Sequence, residues 1–318
     1  APVLLHNLRF VRGLVDSTDL PLNMSREMIQ DSPVLAAIQK GVTGRVLNEL
    51  QKLADSDSEA YLRIWENFGP VLKEGLYEDF ERRDTLLGLA RYKTTTSGDD
   101  WRSLKDYVAD LRENQTAIYY ATGSDLDRLS TSPQLEGFRA RGIEVLLLPD
   151  QVDNFWTSIG VDFDGKPFKS VTQGGADLTL IPLSDGAPSS PQAEAGALDS
   201  FIAFAKEALA GSVSDVRVSE RLTSSAVCLV ASESGMDRQL EKLLANAGQL
   251  PQASLPVLEV NPGHLLIQKL ATTDDANAMK ADLAHLLLDQ ARIADGEQPS
   301  DVRAFAERLD RLMRRAVD

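Results

Sequence analysis

The sequence predicts a mixed α/β protein: a helical segment, a small three-layer α/β unit, and an α+β domain ending in a helical bundle. Apolar residues recur at helical spacing up to about Lys93. Helical stretches and short apolar runs then alternate, as in a parallel sheet covered by helices. A linker dense in Ser, Pro and Gly, 184–192, precedes a second alternation. With 318 residues the chain is long enough for about two domains, predicted at 1–186 and 187–318.

The first region predicts one strand and three helices. Leu8–Val15 is rich in apolar residues and predicts a short strand. A helix is expected to begin at Pro33, because Pro is favoured at the first helical position. A second helix around Trp65 is expected to end at Gly69–Pro70, and Asp79–Arg91 predicts a third.

The alternating region predicts two buried strands between helices. Ser103 is a favourable N-cap, and the helix that it begins is expected to run through Leu111. Ala117–Thr122 and Glu144–Leu148 are almost wholly apolar, which favours strands buried on both faces. Pro133–Arg141 predicts the helix between them, stopped by Gly142. This order indicates a parallel core.

Beyond the linker, helices and strands alternate again. The predicted helices are 193–210, 235–247, one starting at Asn261, 274–294 and 301–317, and the predicted strands are 213–222, 226–231 and 255–260.

Composition excludes several classes of function. A net charge of −15 makes nucleic acid and anionic membranes poor partners. No apolar run approaches the roughly 18 residues that a membrane span needs. Ala1–Phe10 lack the features of a secretion signal, and no Met leads them, so we expect a piece of a longer, cytoplasmic chain. The single cysteine, Cys228, excludes an internal disulfide and fits a reducing compartment.

The chain carries no recognisable motif of a free-standing enzyme. We find no phosphate loop, dinucleotide fingerprint, nucleophile elbow or zinc-protease helix. His6, His264 and His285 are far apart in sequence, so no metal site is predicted. Cys228 lies in an apolar run and is expected to be a small buried side chain rather than a nucleophile.

A resemblance to a known family is carried by Arg12–Pro33, RGLVDSTDLPLNMSREMIQDSP. This stretch resembles a signature of the heat-shock protein 90 chaperone family, in its bacterial form. Supporting stretches follow in the family's order as far as the end of the chain, at 67–95, 101–123, 132–150, 163–171 and 258–270.

The resemblance implies a domain arrangement and a cofactor. Members of the family have an N-terminal nucleotide domain, a middle domain and a C-terminal dimerisation domain. This chain is similar to the later part of the middle domain followed by the C-terminal domain. The resemblance therefore assigns ATP and magnesium to the full-length protein and no cofactor to this piece, which we expect to hydrolyse nothing alone.

The loop Leu20–Gln30 presents Arg26. Taken alone, Arg26 is a surface arginine at a helix start. The resemblance implies that it contacts the γ-phosphate of ATP held by the nucleotide domain, a role that suits an always-charged planar fork. Asn23 and Gln30 match polar residues of the same loop that help to set its active conformation.

The resemblance also implies that partly folded client proteins bind near the junction of the middle and C-terminal domains. One expected contact is Phe155 with Trp156. The family has its acid and its Trp one position earlier, and here Asn154 replaces the acid. Which of the two rings faces outward is therefore open, as is the alternative that Trp156 belongs to the core.

A second expected client contact is the predicted helix 234–248. Met236, Leu240, Leu243 and Leu244 recur on one helical face. An ordinary core helix has the same pattern, so both interpretations stay open.

The last two predicted helices indicate a dimer module. Their apolar stripes exceed what one small domain can easily bury, so pairing with a twin chain into a four-helix bundle is expected. The stripes consist of Leu283, Leu286, Leu287 and Ile293 on the first helix, and Phe305, Leu309, Leu312 and Met313 on the second.

Three functions remain to be separated. The leading one is a piece of an ATP-driven chaperone that works with clients, a twin chain and its own nucleotide domain. An independent hydrolase using carboxylates and Arg26 would release phosphate from ATP alone. A dimeric scaffold without clients would fail to suppress aggregation of a denatured protein.

Overall fold

The computed structural model describes residues 4–13, 33–173, 178–184, 195–232, 236–251, 254–272 and 277–317. It confirms the mixed helix and strand class. The boundary expected between 186 and 187 lies outside the described residues and stays a prediction.

Three helices open the described fold, at α1 (Pro33–Ser56), α2 (Ser58–Glu78) and α3 (Arg83–Leu89). The prediction that α2 ends at Gly69–Pro70 is wrong, because the helix continues through Pro70 for two more turns. Pro70 removes one backbone hydrogen bond. Burial of Trp65, Leu72 and Leu76 on the same helix outweighs that loss.

The segment before α1 corrects a second prediction. Within the described part of Leu8–Val15 there is no strand, and His6–Leu8 forms a 3-10 turn instead. Leu8 is fully buried in the core formed with α2, and Arg9 Nη2 donates to Glu74 Oε1 at 2.8 Å. The apolar residues of this segment therefore pack on a helix rather than in a sheet.

A six-stranded sheet follows α3. Its elements are β1 (Arg91–Thr94), β2 (Arg102–Ser103), α4 (Leu104–Ala109), β3 (Ile118–Thr122), α5 (Leu126–Thr131), α6 (Glu136–Arg139), β4 (Leu146–Leu148), α7 (Asp153–Trp156), β5 (Asp162–Phe163) and β6 (Lys166–Ser170). The strand order is β2-β1-β4-β3-β6-β5, and β3 runs parallel to both β4 and β6. The predicted parallel core is confirmed.

Strand β3 separates two cores, which gives the three layers that the sequence predicts. Ile118 and Tyr120 pack with residues of α1, α2 and α3. Tyr119 and Ala121 face the opposite side, where Phe138 and Leu129 cover them. This alternation follows from the period of two along a strand.

The C-terminal part has its own sheet and core. Its elements are α8 (Ala195–Ala208), β7 (Asp215–Val218), β8 (Val227–Val230), α9 (Arg238–Asn246), β9 (Val257–Val260) and α10 (Leu265–Thr272). Strand β9 lies centrally, parallel to β7 and antiparallel to β8. Side chains of α8 and α10 such as Phe201 and Ile267 fill the core beneath the strands.

Two helices end the described chain, at α11 (Asn277–Ala294) and α12 (Val302–Val317). Helix α11 packs on β8 and α8, whereas α12 packs on α11 and has no buried residue.

Candidate functional site

The four-residue helix α7 is held from below by buried charges. Lys73, on α2, places its Nζ 2.9 Å from both carboxylate oxygens of Asp153 and 2.8 Å from Asp150 Oδ2. Asp153 also accepts a hydrogen bond of 2.8 Å from Trp156 Nε1. Burial alone would lower the pKa of Lys73, but the charges of Asp153 and Asp150 raise it. The ammonium therefore stays charged and anchors α7.

This anchor decides which of the two adjacent rings reaches the surface. Trp156 is fully buried, with its ring 5.0 Å from that of Phe168 in an edge-to-face contact. Phe155 is 38% exposed, and its ring centroid lies 6.0 Å from that of Tyr77. The expectation that Trp156 contributes to a client surface is thus corrected, because its indole fills the core.

Helix α9 begins later than the sequence predicts. Asp237 is its N-cap and accepts hydrogen bonds from the backbone N–H groups of Gln239 and Leu240. Met236 therefore precedes the helix instead of starting its apolar stripe, and it is 46% exposed. Leu240 is buried, so it serves packing in this conformation.

The remaining expected client residues of α9 lie between these extremes. Leu243 and Leu244 are half-buried. Arg238 and Lys242 form ion pairs with Asp295, at 2.9 Å and 2.7 Å, which tie α9 to the end of α11.

The structure brings the two expected client stretches together, because α7 packs against α9. Phe155 is exposed on α7 and Met236 is exposed two residues before α9, although 81 positions separate them in sequence. We call Phe155, Met236, Leu243 and Leu244 the junction surface.

The expected dimer residues of α11 divide between core and surface. Leu287 is buried in the chain's own core and Leu283 packs against it, so these two do not depend on a partner. Leu286 is half-buried, and Ile293 is exposed.

Helix α12 presents the rest of the expected dimer surface. Leu309 is 38% exposed and Met313 is 55% exposed, while Phe305 and Leu312 are half-buried. Two hydrogen bonds of 2.8 Å from Arg311 to Asp282 fix α12 against α11. The exposed apolar side chains are therefore displayed from a fixed helix.

The expected nucleotide contacts are not placed. Arg26, Asn23 and Gln30 lie outside the described residues. Within the described ranges no cluster of His, Cys, Asp or Glu could hold a metal ion, and no helix is long and apolar enough to cross a membrane.

Comparison with known families decides the assignment. A family model described as Hsp90 protein matches residues 3–318. The chain belongs to the Hsp90 family. This confirms the resemblance that Arg12–Pro33 carries.

Individual relatives of this Hsp90 chain are bacterial. It is similar to the chaperone protein HtpG of Azorhizobium caulinodans, with 67% identity over the whole chain and 51% of that protein. The HtpG proteins of Rhizobium meliloti and Mesorhizobium japonicum are 60% and 59% identical, again over the whole chain. The chain spans about half the length of the curated relatives that it matches.

The sequence alone did not identify several residues that stabilise the fold of this Hsp90 chain. Lys73 and Asp153 are 80 positions apart, so their pairing left no local signal. Asp237 could have been found, because Asp directly before an amphipathic run is a favourable N-cap. Glu136 was missed because its partners, residues 223–225, lie in a distant loop.

Proposed function

We propose that this Hsp90 chain is the client-binding and dimer-forming half of an ATP-driven molecular chaperone that works in the cytoplasm. The proposal depends above all on the junction surface, where Phe155 is exposed on α7 and Met236 is exposed just before α9, the helix that packs against α7. The family membership and the names of the relatives support the chaperone class.

The chemistry of the junction surface suits partly folded proteins. An exposed aromatic ring and a flexible thioether bury apolar area against many partner shapes. Buried ion pairs of Lys73 and Asp295 hold α7 and α9 in place. The exposed side chains of the junction surface can therefore adapt to a partner while their backbone stays fixed.

The test replaces Phe155 and Met236 together with Ser. Affinity for a permanently unfolded reporter, such as reduced and carboxymethylated α-lactalbumin, is expected to fall about tenfold, because part of the apolar contact area is lost. Fluorescence anisotropy measures it, and the melting temperature should stay unchanged.

Phe80→Ser is the matched control, since Phe80 is 70% exposed but lies between α2 and α3 under the guanidinium of Arg83. An equal loss of affinity in this control, or no loss in the double variant, would refute the junction surface as the client site.

The same proposal gives Arg26 a role toward ATP. We infer from the resemblance that its guanidinium supports the γ-phosphate of ATP bound by the nucleotide domain, with Asn23 and Gln30 setting the loop. ATP, with magnesium, supplies the free energy of the chaperone cycle. Arginines that act on phosphoryl transfer in other enzymes contribute about a thousandfold or more.

Arg26→Ala in the full-length protein is expected to lower ATP turnover by about that factor and to leave the melting temperature unchanged. Arg26→Lys should restore little, because an ammonium lacks the planar fork. Arg12→Ala is the control within the same stretch. Normal turnover in the Arg26→Ala variant would remove this role.

A further inference from the structure

One buried carboxylate, that of Asp237, joins the two sheets. Its Oδ2 accepts hydrogen bonds from Ser170 Oγ at 2.6 Å and from Thr172 Oγ1 at 3.3 Å. Its Oδ1 accepts one from Thr122 Oγ1 at 3.0 Å. We call Thr122, Ser170 and Thr172 the hydroxyl socket.

The hydroxyl socket lies at a particular edge of the six-stranded sheet. Thr122 is the last residue of β3 and Ser170 the last of β6, and these strands are parallel neighbours. In α/β sheets the carboxyl ends of parallel strands form the usual ligand-binding edge. Here that edge receives a carboxylate from the C-terminal half of the same chain.

The carboxylate of Asp237 also organises α9. Its Oδ1 accepts from the backbone N–H groups of Gln239 at 2.9 Å and Leu240 at 3.3 Å, so the oxygen that enters the hydroxyl socket also caps the helix. Met236 is the residue immediately before it. The hydrogen bonds of Asp237 therefore fix the positions of Met236 and α9 relative to β3 and β6.

Among the described residues, the partners of this carboxylate are all neutral hydroxyl and amide donors. Without a cation to pair with, a buried carboxylate depends on these hydrogen bonds for its stability. Losing the hydroxyl socket therefore leaves Oδ2 of Asp237 without a hydrogen bond for as long as the C-terminal half stays docked on the six-stranded sheet.

We propose that Asp237 is the positioning residue of the junction surface: its carboxylate docks in the hydroxyl socket and fixes α9 and Met236 relative to the six-stranded sheet. This inference rests on the proposed function in one respect only, namely that the junction surface binds client proteins. The docking itself is a statement about geometry within the chain.

The test removes the hydroxyl socket and keeps the helix cap. Ser170→Ala with Thr172→Val takes away both donors to Oδ2, and Thr122→Val alone is the milder variant. Spin labels on Asp100→Cys and Glu207→Cys, both exposed sites on either side of the junction, report the distance between the halves. Cys228 is buried and does not compete for label, and an excess of unlabelled chain suppresses distances between protomers.

The double variant is expected to raise the undocked fraction of the distance distribution about tenfold, and Thr122→Val less. Affinity for the unfolded reporter should fall as the undocked fraction rises. Thr131→Val is the control, because its hydroxyl bonds only within α5. An unchanged distribution in the double variant, or the same broadening in the control, would overturn the proposal.

The two proposals fail separately. A changed distribution with unchanged reporter affinity keeps the docking role, and only the Phe155 and Met236 double variant then decides whether the junction surface is the client site. An unchanged distribution with a lost affinity refutes the docking role, because the hydroxyl groups would then act on the client by another route.

Discussion

At the scale of single residues, the carboxylate of Glu136 links α6 to the loop at residues 223–225 through several hydrogen bonds. Its carboxylate accepts from the backbone N–H groups of Thr223 at 2.7 Å, Ser224 at 2.8 Å and Ser225 at 3.1 Å, and from the hydroxyl of Ser225 at 2.5 Å. Burial alone would raise the pKa of Glu136, but the hydrogen bonds from Ser224 and its neighbours outweigh it and lower that pKa.

The lowered pKa of Glu136 makes the junction sensitive to acid. A carboxyl whose pKa is lower in the folded state stabilises the fold above its unfolded pKa of about 4.3, and this stability is lost as the pH falls through the folded pKa. Urea denaturation should show wild type more stable than Glu136→Gln at pH 7, with the difference shrinking below about pH 4.3.

Glu113→Gln, at an exposed site, is the control and should show no such difference. A difference for Glu136→Gln that stays constant from pH 7 down to pH 3.5 would contradict the role of its charge.

Residue types were easier to predict than residue positions. The sequence narrowed the exposed ring to Phe155 or Trp156 but could not choose, because a one-position shift in a four-residue helix exchanges inside for outside. The choice depends on Lys73, 80 positions away from Asp153, and no local pattern encodes such a pair. Met236 was misplaced for a local reason, since Asp237 caps α9 after it.

At the scale of elements, α6 meets the C-terminal half at very close range. A Cβ built on Gly137 would lie 2.7 Å from Arg221 Cα and 2.8 Å from its carbonyl oxygen. The guanidinium of Arg221 reaches the carbonyl of Val171 and also pairs with Glu259, at 2.9 Å. The backbones of the two halves therefore touch at a position where only glycine fits.

Gly137→Ala is accordingly expected to destabilise the chain by about 1–3 kcal/mol, because the added methyl group meets backbone atoms that cannot turn aside. Gly44→Ala, in α1, is the matched control: nothing lies within 4 Å of its Cβ, and replacing a helical glycine there should stabilise by roughly 0.5–1 kcal/mol. Denaturant midpoints distinguish the two. If both variants were stabilised by the same amount, the close approach between Gly137 and Arg221 would be refuted.

The elements themselves were largely predictable where one pattern dominated. Helices α1, α11 and α12 and strand β3 lie close to their predicted ranges because long periodic or wholly apolar runs specify them. Strands β5 and β6 were missed although Asp164-Gly165, both at positive φ, is a strong hairpin signal. The end of α2 was predicted wrongly at Pro70, because the packing that stabilises this helix beyond Pro70 cannot be read from the local sequence.

At the scale of the whole molecule, α12 is a long helix whose apolar face is left partly open. It has no buried residue, yet Leu309 and Met313 point apolar surface outward from a helix fixed by Asp282. A second copy related by a two-fold axis can cover such a face in a symmetric helical bundle. We therefore propose α12, with Leu286 and Ile293 of α11, as the centre of a homodimer interface.

Leu309→Asp with Met313→Asp is expected to give monomers, because the interface would then bury two unpaired charges for each chain. Light scattering over a range of concentrations measures the mass. Leu265→Asp is the control, since Leu265 is 64% exposed at the start of α10. Dimers of unchanged affinity in the double variant would exclude α12 as the interface.

The separation of Thr172 from Asp237 also has a consequence in time. The two residues are 65 positions apart in the chain, and their hydrogen bond crosses between sheets. A ribosome adding about 5–20 residues per second completes the receiving edge roughly 3–13 s before Asp237 is synthesised. We expect water to hydrate the three hydroxyl groups during that interval, and docking of the C-terminal half to displace this water later.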